Sequence, residues 1–151
     1  MSANRALEPV RLLALSRPES FAASFRARWV QAGEFRLHYR SVVAADALPE
    51  PTPQPACAVG FVLPKRQCRH AARRNLIRRI ARERIRAHLR EHGHALAGQA
   101  PPVLVLRQQA RLGDAWVSAQ SPALRRYLHE VLTRLLEQWE GARRRAAAPT
   151  Q

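Results

Sequence analysis

The sequence predicts a single α/β domain, and three observations lead to this fold class. Two short apolar segments, residues 57–63 and 103–106, are typical of strands that are buried in a sheet. Between them, residues 71–90 repeat apolar side chains at helical spacing. A chain of 151 residues is also long enough to bury one core without disulfide support. A strand, a helix and a second strand in this order are expected to place both strands in one sheet.

The N-terminal part predicts a tail followed by a helix. Residues 1–16 are assigned to a tail or to a first extended segment. Pro18 suits the first turn of a helix, and Glu19 suits the positive end of its dipole. Phe21 and Phe25 are four residues apart, so they share one face of this helix. On the residues alone, packing of this pair in the core is preferred over a role in binding.

Gly33 breaks the helical pattern, and residues 35–44 then alternate between apolar and polar side chains, which predicts a strand. One face carries Phe35, Leu37 and Tyr39, and the other carries Arg36, His38 and Arg40. The apolar face is expected to pack on the core. The basic face is expected to meet water or RNA.

A proline-rich connection separates this strand from the next. Residues 48–55 contain four prolines, which cannot donate to a sheet ladder, so an extended connection is expected. A glycine- and proline-rich loop over residues 93–102 follows the central helix.

The final helix begins at a recognisable cap. Ser121 and Pro122 are suited to the capping position and the first turn, and seven apolar residues then follow on one face. Gly141 is expected to end the helix. The domain is therefore predicted to occupy residues 17–140, and residues 141–151 form a basic C-terminal tail.

The central helix is predicted to have two chemically different sides. Taking 100° per residue, the apolar side carries Leu76, Ile77, Ile80, Ala81, Ile85 and Leu89. The opposite side carries Asn75, Arg79, Arg82, Arg86 and Arg90. Arg84 falls among the apolar positions, where its stem is expected to pack while its head reaches water. This segregation favours a folded amphipathic helix over a disordered basic tail.

The charge of the chain indicates a polyanionic partner. The formal net charge is +15, the isoelectric point is near 11.8, and Lys65 is the only lysine. An excess of one sign indicates the kind of partner rather than the fold, and nucleic acids are the abundant polyanions. The preference for arginine has two explanations that remain open, namely phosphate recognition and a GC-rich genome.

Several classes of protein are disfavoured by what the sequence contains. Two cysteines do not form a secreted disulfide framework, and no segment resembles a signal peptide or a membrane span. We therefore expect a cytoplasmic protein with reduced thiols and no membrane partner. Metal-ligand spacing, a phosphate-binding glycine loop and a nucleophile elbow are absent from the sequence. The polypeptide is not expected to carry catalytic residues or a metal site of its own.

Residues 60–86, GFVLPKRQCRHAARRNLIRRIARERIR, resemble the signature of the protein component of bacterial ribonuclease P. Lys65 and Arg66 stand at its basic pair. The Arg-Asn motif and its continuation follow without a gap at Arg74, Asn75, Ile77, Arg78, Arg79, Arg82 and Glu83. Leu76 departs from the pattern, because the family usually has a third basic residue there. Phe21 and Phe25 stand where the family has a Phe pair on its first helix.

The resemblance implies a specific version of the α/β fold. Helices are expected to pack on a mixed four-stranded sheet with a left-handed strand-helix-strand crossover, which is opposite to the usual hand. The same class of fold occurs in a domain of a ribosomal protein.

The resemblance also implies a function. The family protein joins a large catalytic RNA, one protein per RNA, and the complex hydrolyses one phosphodiester bond to remove the 5′ leader of precursor tRNA. Magnesium at the active site of the RNA activates the attacking water. The partners expected for this chain are therefore the ribonuclease P catalytic RNA and precursor tRNA.

Site residues follow from the same resemblance. The expected contacts to the catalytic RNA are Arg74, Asn75, Arg78, Arg79 and Arg82, together with Lys65, Arg66 and Arg69. Lys65 and Arg66 are also expected near the edge of a cleft that holds the leader. The expected residues of that cleft are Phe21, Phe25, Arg36 and His38.

Two other functions share parts of this pattern. A non-enzymatic RNA-binding protein, such as a ribosomal protein, would have a basic helix and a compact α/β core, but it is not expected to keep both the Phe pair and the gapless motif. A DNA-binding regulator could insert the arginine helix into a major groove. The helix offers little for base edges beyond Asn75 and Arg79, which disfavours the regulator.

Overall fold

Three helices pack on a five-stranded mixed sheet in this computed structural model, which describes residues 9–113 and 120–147 apart from the side chain of His94. The elements are β1 (Arg11–Ala14), α1 (Pro18–Phe25), β2 (Arg28–Ala32), β3 (Phe35–Arg40), β4 (Ala56–Val62), α2 (Ala71–His92), β5 (Val103–Gln108) and α3 (Pro122–Ala147). Short 3₁₀ turns lie at Ala44–Asp46 and Gly93–Leu96. None of the helices within this part of the chain is both long enough and apolar enough to cross a membrane.

The strand order is β1-β4-β5-β3-β2. β4 pairs in parallel with both β1 and β5, whereas β3 is antiparallel to both β5 and β2. β4 and β5 are neighbours and α2 connects them, so the predicted strand-helix-strand unit is confirmed.

The prediction of a four-stranded sheet is wrong, because the sheet formed by the described residues has five strands. Residues 11–14, which were assigned to a tail or an extended segment, pair in parallel with the open edge of β4. Leu12 packs against the larger core, and Leu13 packs against the smaller core on the opposite face of the sheet. Apolar contacts on both faces therefore hold this short strand in place.

β2 and β3 form a hairpin around Gly33. Gly33 has a φ of 54°, which glycine adopts without steric cost, and Ala32 pairs with Phe35 across the turn. Gly33 was predicted to break a helical pattern, and this prediction is wrong, because Gly33 lies in the turn between two strands. The helical segment before it is shorter than the sequence suggests, since α1 ends at Phe25 and the chain becomes extended at Arg28.

The sheet has helices on both faces. α2 and α3 pack on the face that carries Phe35 and Leu37, where most of the apolar core lies. All six apolar residues predicted for the buried side of α2 are buried. Leu76 is among them, so the residue that departs from the family pattern packs in the core rather than in the exposed arginine row. α1 contacts β3 and β5 on the opposite face, where a smaller core includes Ala58 and Val105.

α3 begins where the sequence predicts and ends later. The backbone N–H of Leu124 donates to Ser121 Oγ at 3.2 Å, which confirms the cap. The helix passes through Gly141 and continues to Ala147, so the predicted end is wrong. Glu140 accounts for this continuation, because its carboxylate accepts hydrogen bonds from Arg143 at 2.8 and 2.9 Å and from Arg144 at 3.3 Å. These bonds span the glycine with helical spacing.

Two histidines, the buried His38 and the largely buried His88, have a pKa below the usual value. Burial lowers the pKa of His88, and the nearby Glu140 only partly offsets this effect. His88 Nε2 lies 3.0 Å from Glu140 Oε1 and so links α2 to α3. Burial also lowers the pKa of His38 on β3, with the positive charges of Arg107 and Arg36 acting in the same direction.

These histidines predict that the protein loses stability as it is acidified. Because the pKa in the folded chain lies below the ordinary value of 6.5, the unfolded chain binds protons more readily. The free energy of unfolding should therefore fall between about pH 7.5 and pH 5. Denaturant titrations across this range would measure the slope, and His38→Asn combined with His88→Gln should flatten it. His70→Gln, which changes an exposed histidine, should keep the wild-type slope, and a wild-type stability that is constant over this range would contradict the assignment.

Candidate nucleic-acid interface

The solvent side of α2 carries a row of cations. Arg79, Arg82 and Arg86 are exposed and follow one another at intervals of three or four residues, which corresponds to about 4.5–6 Å along the helix axis. The guanidinium carbon of Arg82 lies 5.1 Å from the ring centre of Phe61 on β4, so this side chain is supported from beneath. The arrangement presents positive charge along a line, as phosphate binding requires.

Three motif residues at the start of α2 have different surroundings. Arg74 Nη1 donates to the carbonyl oxygens of Cys68 and Arg69 at 2.8 and 2.9 Å. Arg78 Nη1 donates to Asn75 Oδ1 at 3.0 Å, and this pair lies on the exposed side. Arg74 therefore holds the preceding loop, whereas Asn75 and Arg78 face solvent together.

The loop over residues 64–70 is fixed by side chains that bond its backbone. In addition to the two bonds from Arg74, Arg111 Nε donates to the carbonyl of Arg66 at 3.1 Å. Gln108 Nε2 donates to the carbonyl of Gln67, also at 3.1 Å. Four consecutive carbonyls of the loop thus accept side-chain hydrogen bonds. Because its backbone is held this way, the loop displays the exposed side chains of Lys65, Arg66 and Arg69 from a defined position.

On the opposite face of the sheet, α1 is seated above a glycine. A Cβ atom at Gly60 would lie 2.7 and 2.9 Å from two carbon atoms of the Phe21 ring, which is closer than van der Waals contact. The missing side chain of Gly60 therefore makes room for Phe21, which packs partly buried against the smaller core. Phe21 and Phe25 share one side of α1, as predicted, but Phe25 is 38% exposed.

Phe25 lies between a buried histidine and an arginine. Its ring centre is 5.7 Å from that of His38 in an edge-to-face arrangement. The guanidinium carbon of Arg107 lies 4.6 Å from the centre of the same ring. His38 is only 1% exposed, so it lies beneath the surface and supports Phe25 from below. Of the four predicted cleft residues, Phe21, Phe25 and Arg36 are accessible at least in part, and His38 is covered.

A second aromatic-arginine pair lies on the neighbouring strands. The guanidinium carbon of Arg36 on β3 is 4.0 Å from the ring centre of Trp29 on β2. Arg36 Nε also donates to Gln31 Oε1 at 3.1 Å. Trp29 is 45% exposed, and Arg36 pairs across the sheet with Arg107. These contacts join Phe25, Trp29, Arg36 and Arg107 into one surface, which we call the aromatic-arginine surface.

Trp29 and Arg107 were missing from the residues predicted for this surface. Trp29 falls in the segment that the sequence suggests is the end of a helix, so its position on a strand could not be anticipated. Arg107 carries a signal that was available, because it is a basic residue at the end of an apolar strand. Only the pairing of β3 with β5 brings it beside Phe25.

A family model described as Ribonuclease P matches residues 11–136, which is most of the chain. This chain belongs to the ribonuclease P protein family. The matched region includes the aromatic-arginine surface, the loop over residues 64–70 and all of α2. The match ends before Glu140 and the last turns of α3.

A curated member of the family agrees with this assignment. The ribonuclease P protein component of Bordetella petrii is 35% identical over 72 residues, which represent 48% of this chain and 55% of that protein. The match therefore spans about half the length of this curated relative.

Substitution of Gly60 should show how closely α1 is seated on the sheet. Gly60→Ala should push Phe21 out of its position and lower the free energy of unfolding by about 1–3 kcal/mol, the usual cost of overpacking. Denaturant unfolding would measure this loss. Gly141→Ala is a matched control, because its added Cβ meets only the end of the Arg145 side chain at 3.4 Å within a helix. The control should leave the free energy of unfolding unchanged or raise it by up to about 1 kcal/mol. Equal effects of the two substitutions would contradict the close packing of Phe21 on Gly60.

Proposed function

We propose that this chain is the protein subunit of a ribonuclease P ribonucleoprotein and assists endonucleolytic removal of the 5′ leader from precursor tRNA. Membership of the family supports this function. The observation that carries the proposal is the presence of two different surfaces on one small domain. The row on α2 consists of exposed arginines, and its aromatic contact is the partly buried Phe61 beneath Arg82. The α1 side of the sheet instead combines exposed rings with arginines.

The exposed row of α2 is proposed to bind the catalytic RNA. Guanidinium groups along a helix neutralise successive phosphates and give salt-dependent affinity with little sequence preference. Asn75, Arg78, Arg79 and Arg82 supply these contacts. Lys65, Arg66 and Arg69 extend them from the loop before the helix. Arg74 contributes by holding that loop, because its Nη1 is engaged with two loop carbonyls.

The aromatic-arginine surface is proposed to bind the single-stranded leader. Unpaired bases stack on aromatic rings, and arginines beside the rings attract the phosphates that follow. Phe25 and Trp29 offer exposed rings, and Arg107 and Arg36 lie against them. Phe21 anchors α1 beneath this surface, and His38 supports Phe25. Such contacts would favour substrates that still carry a leader.

The chemistry in this proposal belongs to the RNA. Magnesium held by the RNA would activate the water that attacks the phosphodiester bond, leaving a 5′ phosphate on the mature tRNA. Within the described residues, no group of three or more His, Cys, Asp or Glu side chains could hold a metal ion. The proposal also includes one protein per catalytic RNA and a left-handed crossover from β4 through α2 to β5.

The central prediction concerns cleavage at low magnesium. Adding this protein to its cognate catalytic RNA should stimulate 5′ maturation of precursor tRNA. The arginines of the bound protein reduce the repulsion between RNA phosphates, which magnesium otherwise screens. Single-turnover cleavage of an end-labelled precursor would measure the effect. Absence of stimulation with folded RNA and folded protein would contradict the proposal. A purely structural RNA-binding protein would bind the RNA and leave the cleavage rate unchanged.

A second prediction separates the two surfaces. Removing two charges with Arg79→Ala and Arg82→Ala should weaken binding to the catalytic RNA and reduce the slope of log affinity against log salt by about 1.5–2. Phe25→Ala with Trp29→Ala should leave that slope nearly unchanged. It should instead reduce the preference for precursor over mature tRNA, with a loss on the order of 1–3 kcal/mol per stacked base.

Arg126→Ala with Arg134→Ala is the matched charge control. Both arginines are exposed on α3, which packs on the face of the sheet opposite to α1, and the substitutions remove the same charge. If this variant loses as much affinity as the α2 variant, net charge rather than the α2 row determines binding. Equal effects of the α2 and aromatic variants on precursor and mature tRNA would overturn the division between surfaces.

A further inference from the structure

Arg40 joins three parts of the chain beneath α1. It lies at the end of β3, and its Nη2 and Nε donate to Ser20 O and Ser24 Oγ of α1, each at 3.0 Å. Its Nη1 donates to the carbonyl of Ser41, also at 3.0 Å. The two terminal nitrogens together form a bidentate pair with Asp46, at 2.8 and 2.9 Å. One guanidinium group thus ties α1 to β3 and to the 3₁₀ turn that follows it.

Asp46 is held in place for this pair. Its side chain is fully buried, and that of Arg40 is only 10% exposed. The backbone N–H of Val43 also donates to Asp46 Oδ2 at 2.9 Å. The hydrogen bond from Arg40 is the main reason that the pKa of Asp46 lies far below its usual value of 3.8. The pair is therefore ionised throughout the neutral range and is shielded from competing water.

α1 needs such a tie because it has little stability of its own. It has eight residues, and Arg17 at its cap position makes no side-chain capping bond. Isolated helices of this length are marginal in water, so tertiary contacts must fix its orientation. Phe21 above Gly60 fixes one side, and the bonds from Arg40 to Ser20 and Ser24 fix the side next to Phe25.

We infer that Arg40 and Asp46 are positioning residues for the leader-binding surface. They hold α1 over β3 so that Phe25 remains above His38 and against Arg107. Neither residue belongs to the exposed row of α2 or to the aromatic-arginine surface. The inference rests on the proposed function, since it assigns these residues a role in binding the leader. Loss of the pair should let α1 shift and should disturb leader binding while contacts between α2 and the catalytic RNA persist.

The test uses the reconstituted complex of catalytic RNA and full-length protein. Asp46→Asn keeps the shape of the side chain and removes its charge. The dissociation constants of precursor tRNA with a leader and of mature tRNA would be measured for each variant. Asp46→Asn should reduce the precursor preference by about five- to tenfold, comparable to losing one stacked base. Affinity for the catalytic RNA should stay within about twofold of wild type.

Glu140→Gln is the matched control. Glu140 is also a buried carboxylate, with 10% side-chain exposure, and it ties α2 to α3 through His88 and the arginines that follow it. Its hydrogen-bond partners among the described residues are His88, Arg143 and Arg144, which all lie on α2 or α3. This variant should lose stability and keep the wild-type preference for precursor. If Glu140→Gln reduced the precursor preference as much as Asp46→Asn does, a general loss of stability would explain the reduced preference. The inference would then fail.

Ser24→Ala tests the same tie with a milder change, so the inference stays testable if Asp46→Asn does not fold. It removes one acceptor of Arg40 and introduces a better helix former. The precursor preference should again fall, by a smaller factor. Wild-type preference in every folded variant of the pair and of Ser24 would overturn the inference. If the wild-type protein itself shows no preference for precursor, the proposed leader-binding role fails first, and the two failures are thereby distinguished.

Discussion

The packing of α2 against the sheet is the constraint on which the rest of the structure depends. Arginines crowd this helix, and like charges at helical spacing each cost a few tenths of a kcal/mol. Five buried Leu and Ile side chains oppose that repulsion, each worth about 1.5–3 kcal/mol on burial. Burial therefore exceeds repulsion, provided that no cation enters the packed side. Arg84 is the cation that comes nearest to the packed side of α2, and it remains half-buried at the edge of that side. The fold can display an arginine row only because the apolar positions of α2 remain in register with the sheet.

The aromatic-arginine surface depends on a different balance. Arg36 lies over Trp29 and Arg107 over Phe25, and such contacts are worth about 0.5–1 kcal/mol at exposed sites. Stacking of a base on an aromatic ring is worth about 1–3 kcal/mol. In the proposed function a base can therefore replace the guanidinium on each ring. The displaced arginine then stands beside a phosphate, where its charge is needed. The stacked arginines keep the surface ordered without competing strongly with the leader.

Sequence periodicity predicted the parts of the fold that are determined locally. It placed α2, assigned all six of its buried residues, and located β4, β5 and the cap of α3 at Ser121. It did not find β1, because the pairing of this strand with β4 is a contact between distant segments. Alternation in β3 showed that His38 faces away from the main core, but not that Phe25 covers it. The gapless motif marked Arg74, yet its bonds to Cys68 and Arg69 depend on a loop shape that spacing does not encode.

The extension of α3 changes how the C-terminal arginines should be understood. The sequence predicts a basic tail over residues 141–151. Residues up to Ala147 are helical instead, and Glu140 bonds Arg143 and Arg144. Arg143 also donates to the carbonyl of His92 at the end of α2. A cation that is paired with a carboxylate releases fewer counterions from RNA than an unpaired one. Arg143 thus helps to hold α3 against α2, whereas Arg144 is paired with Glu140 within α3. The exposed row of α2 and the loop before it therefore remain the main source of affinity for RNA in the proposed function.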